Sequence, residues 1–154
     1  MGLFSKKVEI KSPINGKLVD VTEVKDEAFS SKALGDGMAI IPSDGKIYSP
    51  VDGEVVTMVD TNHAIGLSSK GIEILIHIGM DTVKLGGKHF KAHVKEGDKV
   101  KTGTLLIEFD KEEVEKEYDI TSPIIIPNFS ELKSLDKTEP RTISAGDVIM
   151  IATK

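Results

Sequence analysis

Four histidines are the side chains of this 154-residue sequence best suited to chemistry near neutral pH, because a neutral imidazole nitrogen is both a nucleophile and a metal ligand. Two of them, His63 and His77, bracket most of the stretch TNHAIGLSSKGIEILIHIGMD, residues 61–81. Such a pair has three readings. An incidental pair on a polar face is the simplest account of register alone. Half of a zinc site is the second, but it needs further ligands, there is no cysteine, and Asp81 is the nearest carboxylate. In the third, one imidazole carries a phosphoryl group covalently while the other offsets charge on the phosphoryl oxygens. Thr61, two residues before His63, has a hydroxyl able to fix which nitrogen of His63 donates. Gly79, two residues after His77, is read as open space for a phosphoryl group and a docking partner. His89 and His93, in KHFKAH, have the i, i+4 spacing of helical ligands. The metalloprotease pattern needs a Glu beside the first His, so these two read as solvated loop residues.

The pair works only if the chain brings its members together. In Gly71-Ile72-Glu73-Ile74-Leu75-Ile76-His77-Ile78-Gly79 every second residue is isoleucine. Period two sends the isoleucines to the core and leaves Glu73, Leu75, His77 and Gly79 on the other face. His77 is then outside the core unless a second layer covers it. A three-residue loop Ser69-Lys70-Gly71, with Gly71 left-handed, pairs 68 with 72, 67 with 73, 65 with 75 and His63 with His77. Direct cross-strand partners have Cβ atoms about 5 Å apart. A two-residue loop is read as setting His63 opposite Ile76 instead.

The rest of the chain supplies a β scaffold. Short β-branched runs are separated by Gly, Asn, Asp and Ser, which predicts an all-β antiparallel sandwich or barrel with one or two short helices. Strands are expected at 8–11, 16–21, 38–42, 46–48, 53–59, 64–68, 72–78, 104–109, 121–126 and 148–151. A helix is expected at 111–118, with Asp110 as N-cap and Glu113 at the capping-box position, and a helical turn at 131–135. The chain also repeats itself. Ser12-Pro13-Ile14-Asn15-Gly16-Lys17-Leu18-Val19 is echoed by Ser49-Pro50-Val51-Asp52-Gly53-Glu54-Val55-Val56, and Ser122-Pro123-Ile124 opens a weaker third copy. Gly-Asp precedes an apolar strand at 35–36, 97–98 and 146–147. Duplication within one pseudo-symmetric fold explains this better than independent turns. It is not a solenoid, because only two copies are clear.

Composition excludes several classes. A net charge of −5 disfavours nucleic acid, whose backbone needs a basic face. The absence of cysteine removes disulfides, thiolate zinc sites and cysteine nucleophiles, and fits a reducing compartment. No apolar run approaches the roughly 20 residues needed to span a bilayer. MGLFSKK has no following apolar region, so it does not read as a signal peptide. Gly2 is not read as a myristoylation site, because position 6 is Lys6 rather than Ser or Thr. Residues 1–7 are read as a short leader and 8–154 as one domain, cytoplasmic.

At TNHA followed by GIEILIHIGMDTVKL the sequence resembles the glucose-type enzyme IIA of the bacterial phosphoenolpyruvate-dependent sugar phosphotransferase system. The resemblance continues through FSSKALGDGMAI (29–40), YSPVDGEVV (48–56), VKEGDKVKTGTLLIEFD (94–110), TSPIIIPN and GDVIMIATK. It implies that His77 accepts a phosphoryl group through Nε2, that His63 stabilises it, and that Thr61 orients His63. The phosphoryl donor would be the histidine of HPr, and the acceptor a cysteine of the IIB domain of a sugar permease. Both partners would dock on a shallow apolar face carried here by Ala28, Leu34, Val59 and Leu75, with Asp26 and Asp81 at the rim. Several members have aromatic groups where this chain has Val59 and Leu75, so the face is expected to be thinner. No cofactor is expected beyond the transient phosphoryl group. Zinc across His63 and His77 would need a partner's carboxylate and is not expected. A carrier presenting one face to successive partners works as a monomer, which is the expected state; it is expected to meet the membrane through the permease, with regulatory target proteins as further candidate partners.

Other folds and functions leave other marks. A lysostaphin-type zinc peptidase needs His-x-His, which does not occur. A biotinyl or lipoyl carrier needs Met-Lys-Met or Asp-Lys-Ala, and neither occurs. VKEGDKVKTGTLLIEF therefore reads as β scaffold of the kind those carriers share. A regulatory or scaffold β-domain without phosphotransfer stays open.

Overall fold

Short β-branched runs closed by Gly, Pro, Asn and Asp become strands, because those residues supply the turn conformations that branched side chains resist. A computed structural model describes residues 6–154; Gly2 and residues 1–5 of the leader lie outside the described residues. The described chain runs β1 (Lys7–Lys11), β2 (Gly16–Asp20), a 3-10 turn (Val21–Glu23), α1 (Glu27–Ser30), β3 (Asp36–Pro42), β4 (Lys46–Tyr48), β5 (Gly53–Met58), β6 (Ala64–Ser69) and β7 (Ile72–His77). After a 3-10 turn (Thr82–Leu85) come β8 (Phe90–Ala92), β9 (Lys99–Val100), β10 (Leu105–Phe109), α2 (Lys111–Glu115) and β11 (Ser122–Ile126). A last 3-10 turn (Phe129–Glu131) leads to β12 (Ser134–Lys137), β13 (Arg141–Ile143) and β14 (Val148–Thr153).

Every strand pair is antiparallel. One large sheet has the order β13-β2-β3-β11-β7-β6-β5-β9, and two three-stranded sheets have the orders β1-β14-β12 and β4-β10-β8. Side chains from all three sheets meet in one core, including Ile10, Ile40, Ile47, Ile76, Ile107, Ile124 and Ile149. The antiparallel all-β reading holds, and so do its ten strands, to within about two residues at each end.

A second apolar cluster lies apart from that core. Val21, Val24, Phe29, Ala39, Met80 and Ile125, with Val19 and Leu75 against them, are joined where the chain from Val21 to Ser30 covers part of the large sheet. This explains why Ser122-Pro123-Ile124-Ile125-Ile126 is buried at every position: Ile124 and Ile126 face the main core and Ile125 the second cluster. It also provides the second layer on which the status of His77 depends.

The repeat is a real structural correspondence. Ser12 and Ser49 each donate from Oγ to the carbonyl two residues on, Ile14 or Val51, at 2.6 Å. The two copies also exchange backbone bonds, Lys11 N–H to Pro50 and Tyr48 N–H to Pro13. Each copy grips a second matched loop. Asn15 Oδ1 accepts from Ala145 N–H as Asp52 Oδ1 accepts from Thr102 N–H, and Ser12 and Ser49 carbonyls accept from Gly146 and Gly103. The third copy fails this test, because the Ser122 hydroxyl donates backwards to Ile120.

Other expectations need correction. α2 stops at Glu115, and Asp110 caps it through Glu113 N–H, but Glu113 turns to Lys116 instead of closing the box. Residues 131–135 are not helical; they hold the end of a 3-10 turn and the start of β12. The leader's last residue, Lys7, already pairs with Thr153 in β1. The unexpected elements β8, β9, β12, β13 and α1 have two to four residues each. That is too short for a period to register; tertiary pairing makes the strands regular, and the Asp26 cap starts α1.

Candidate functional site

The hairpin that carries the histidines turns on two residues. Ser69 pairs with Ile72, leaving Lys70 (φ 50°) and Gly71 (φ 80°) as the loop. Positive φ at both central positions is the signature of the turn whose twist matches antiparallel strands. The expected three-residue loop is therefore absent, and the register shifts by one. His77 pairs with Ala64, and His63 lies opposite Ile78, whose N–H donates to the His63 carbonyl at 2.8 Å.

The imidazoles meet all the same. Their ring centroids are 4.9 Å apart and the planes stand at 87°. This is possible because His63 precedes β6 and escapes its alternation. Asn62 takes a left-handed conformation (φ 58°) and its N–H closes a turn onto the Val59 carbonyl. The bend at Asn62 and His63 turns the ring toward His77. His63 is left only 7% exposed. Thr61 Oγ1 lies 2.6 Å from His63 Nδ1, so the expected contact is present, although Thr61 sits in the turn rather than in a strand.

His77 has its tautomer set by a carbonyl. Its Nδ1 is 2.8 Å from the Gly79 oxygen. A carbonyl can only accept, so Nδ1 carries the hydrogen and the Nε2 lone pair of the neutral ring is available. Burial pushes the His77 pKa below 6.5, opposed by the Gly79 carbonyl and by the carboxylates of Asp26 and Asp81. Burial, then the neighbouring His77, push His63 down to about 4. Both rings are neutral at physiological pH.

An aromatic ring and an apolar cluster border His77. Phe29 places its ring centroid 5.1 Å from that of His77. Leu75, half-buried, joins the cluster under α1 that Phe29 and Met80 anchor. Ala28 and Leu34 are exposed and Val59 is half-buried. Asp26 caps α1 by accepting from Ala28 N–H at 2.9 Å, which ties a rim carboxylate to the helix that holds Phe29. Asp81 is exposed at positive φ ahead of the 3-10 turn that presents Val83, which is 53% exposed. Sequence reading missed Phe29, Met80 and Val83. The available signal for Phe29 was Asp26, an N-cap residue three positions ahead of an aromatic.

Gly79 is not open space. It is buried at φ 74°, and a Cβ there would meet Thr82 Cγ2 at 2.8 Å and the Asp119 oxygen at 2.9 Å. It contributes a backbone carbonyl instead. His89 and His93 do not join the site: β8 separates them, and His93 Nε2 pairs with Glu108 at 2.8 Å. Among the described residues no group of three or more His, Cys, Asp or Glu side chains is arranged to hold a metal. His63 and His77 alone do not complete a tetrahedral zinc site. A cleft of about 890 Å³ includes Val19, Ile41, Tyr118 and Asp119 in its lining but neither histidine.

A family model described as the phosphoenolpyruvate-dependent sugar phosphotransferase system, EIIA 1, matches residues 8–132. The chain belongs to that family. It is 42% identical over 147 residues to a glucose-specific EIIA component of Halalkalibacterium halodurans, covering 94% of this chain and 85% of that protein. A β-glucoside-specific EIIBCA component of the same organism is 47% identical over 151 residues, 97% of this chain. The chain spans about a quarter of the length of that protein and of its Bacillus subtilis counterpart. Among solved structures, glucose permease IIA from Mycoplasma capricolum superposes with a TM-score of 0.87 at 37% identity, covering 95% of this chain and 96% of that one. Among the described residues no helix is long and apolar enough to cross a membrane.

Proposed function

We propose that this chain is a phosphocarrier in sugar uptake, taking a phosphoryl group from phospho-HPr onto His77 and passing it to a cysteine in the IIB part of a sugar permease. The carrying observation is the 2.8 Å bond from His77 Nδ1–H to the Gly79 carbonyl, which leaves Nε2 as the nucleophile. Membership of the EIIA family supports the relay, and the EIIBCA names of two relatives support a IIB partner.

In the forward step the Nε2 lone pair attacks phosphorus as the donor's P–N bond breaks, and the Nδ1 proton stays where it is. In the second step the partner's thiolate attacks phosphorus, the Nε2–P bond breaks, and His77 returns to its starting tautomer. His63 lies beside the transferring group. With Thr61 donating to its Nδ1, its Nε2–H is free to donate to a phosphoryl oxygen. The step needs no metal or organic cofactor, since in-line positioning and fixed donors supply most of phosphoryl-transfer catalysis. Ala28, Leu34, Val59, Leu75 and Val83 form the docking face, and Asp26 and Asp81 attract a basic partner. That role puts the protein in the cytoplasm, meeting the membrane through its permease.

Labelled phospho-HPr tests the reading against wild type, His77→Gln and His63→Gln. Wild type should take up acid-labile, base-stable label and His77→Gln none. His63→Gln should accept label but pass it on slowly. Label retained on His77→Gln would remove His77 as acceptor. Absence of label on the wild type would favour a regulatory β-domain.

A further inference from the structure

The group that orients His77 is itself a backbone carbonyl in an unusual conformation, so something must hold it. Gly79 sits at φ 74° just beyond the end of β7, where no strand partner fixes its peptide. Two bonds from one distant segment bracket it. The Gly79 N–H donates to Ser122 Oγ at 3.3 Å, and the Met80 N–H donates to the Asp119 carbonyl at 2.8 Å. The Met80 N–H and the Gly79 carbonyl belong to the same planar peptide and point in opposite directions. Anchoring one edge on Asp119 therefore aims the other edge at His77 Nδ1.

The anchoring segment is built to stay put. Ser122 is fully buried, and its hydroxyl donates to the Ile120 carbonyl at 2.8 Å, which directs an oxygen lone pair at Gly79 N–H. Asp119 Oδ1 accepts from both Thr121 N–H, at 2.9 Å, and Thr121 Oγ1, at 2.7 Å, closing a side-chain turn. Thr82, also fully buried, donates from its hydroxyl to the Ile78 carbonyl on the other side of Gly79. Ser122 differs from Ser12 and Ser49 in donating backwards, to Ile120, rather than to the carbonyl two residues on.

We propose that Ser122, acting with the Asp119 carbonyl, is a positioning residue for the histidine: it locks the Gly79 peptide so that His77 is held as the Nδ1–H tautomer with Nε2 free. The proposal rests on the phosphocarrier reading for its consequence, but not for its geometry. Losing the lock lets the Gly79 carbonyl drift, and the ring then populates the tautomer whose Nε2 carries the proton and cannot attack phosphorus.

The test compares Ser122→Ala, Ser122→Thr and Ser122→Val in the full chain with ¹⁵N-labelled histidine. Threonine and valine have the same shape, so their difference reports the hydroxyl alone. Ring ¹⁵N shifts at mildly alkaline pH give the His77 tautomer directly. Ser122→Ala and Ser122→Val should lose the pure Nδ1–H signature and accept label from phospho-HPr about 10- to 100-fold more slowly, as expected for a misplaced reacting group. Ser122→Thr should keep the wild-type spectrum and stay near the wild-type rate. A wild-type spectrum and rate for Ser122→Val would overturn the proposal, and so would equal impairment of the Thr and Val variants. Should the buried variants fail to fold, Asp119→Ala at the exposed turn serves in their place. It should move the His77 tautomer toward the Nε2–H form, and an unchanged spectrum would overturn the proposal. If wild type takes no label, the phosphocarrier reading fails while the spectra still judge Ser122.

Discussion

His63 and His77 meet edge to face with centroids 4.9 Å apart although their backbones are not cross-strand partners. The contact is made by a left-handed residue, Asn62, and not by the pleat. An L residue other than Asn or Gly in that conformation pays a steric cost, because its Cβ crowds the following carbonyl. Asn62→Ala should cost roughly 1 kcal/mol in urea unfolding and let the His63 ring withdraw, while Asn62→Gly should be nearly neutral. Onward transfer to IIB should follow the same order. Equal stability for the two variants would mean that the bend is held by something other than residue 62.

Burial of His63 has a thermodynamic consequence with a definite sign. Its folded pKa, about 4, lies below the ordinary 6.5, so the fold holds it neutral while the unfolded chain protonates it first. Its contribution is intact above pH 6.5 and lost progressively as pH falls toward 4. The loss approaches roughly 3 kcal/mol at the lower end. Denaturant melts of wild type and His63→Gln across that window should diverge, with the variant showing the flatter pH dependence. Parallel curves would show that His63 does not titrate as a buried group.

The two-residue turn offers a stabilising change. Lys70 occupies the first left-handed position of a loop that favours Asn-Gly, and it is exposed. Lys70→Asn should raise the midpoint of thermal unfolding, by a gain of about 0.5–1 kcal/mol, without altering transfer. Gly71→Ala should lower it, because at φ 80° an alanine Cβ crowds the following carbonyl.

That turn also shows where sequence reading succeeds and where it stops. The isoleucine period placed Ile72, Ile74, Ile76 and Ile78 in the core and His77 on the other face, because a core strand leaves its hydrophobic set no alternative. The loop length was illegible. The two-residue alternative, with His63 opposite Ile76, turns on Ser69-Lys70, whereas the chain turns on Lys70-Gly71, and nothing local in the sequence selects among these loops. The proximity of the two rings was expected, but through a register the chain does not use. Gly79 reads as empty space in the sequence because a glycine says nothing about Thr82 and the Asp119–Ile120 segment packed against it. Phe29 escapes sequence reading because a four-residue helix has no period and its place against His77 is decided by tertiary packing; Met80 escapes it because it lies in the turn beyond β7, outside the strand's alternation.

Phe29 is where packing and chemistry meet most directly. It is 4% exposed, anchors the second cluster, and stacks obliquely on His77 at 5.1 Å. Burial is the largest influence on the His77 pKa, and it acts downward, while the Gly79 carbonyl, Asp26 and Asp81 act upward. Phe29→Ala opens the ring to water and leaves those upward influences in place. The His77 midpoint should therefore rise from its depressed value toward or beyond 6.5, observable by NMR titration of the ring. Phosphoryl acceptance, which needs the neutral ring, should then fall off at a higher pH than in wild type. The substitution should also cost roughly 3 kcal/mol of stability, as for other buried aromatic truncations. Phe29→Leu restores most of the buried volume and should return the midpoint close to wild type. A midpoint unmoved by Phe29→Ala would assign the burial of His77 to His63 and Leu75 instead.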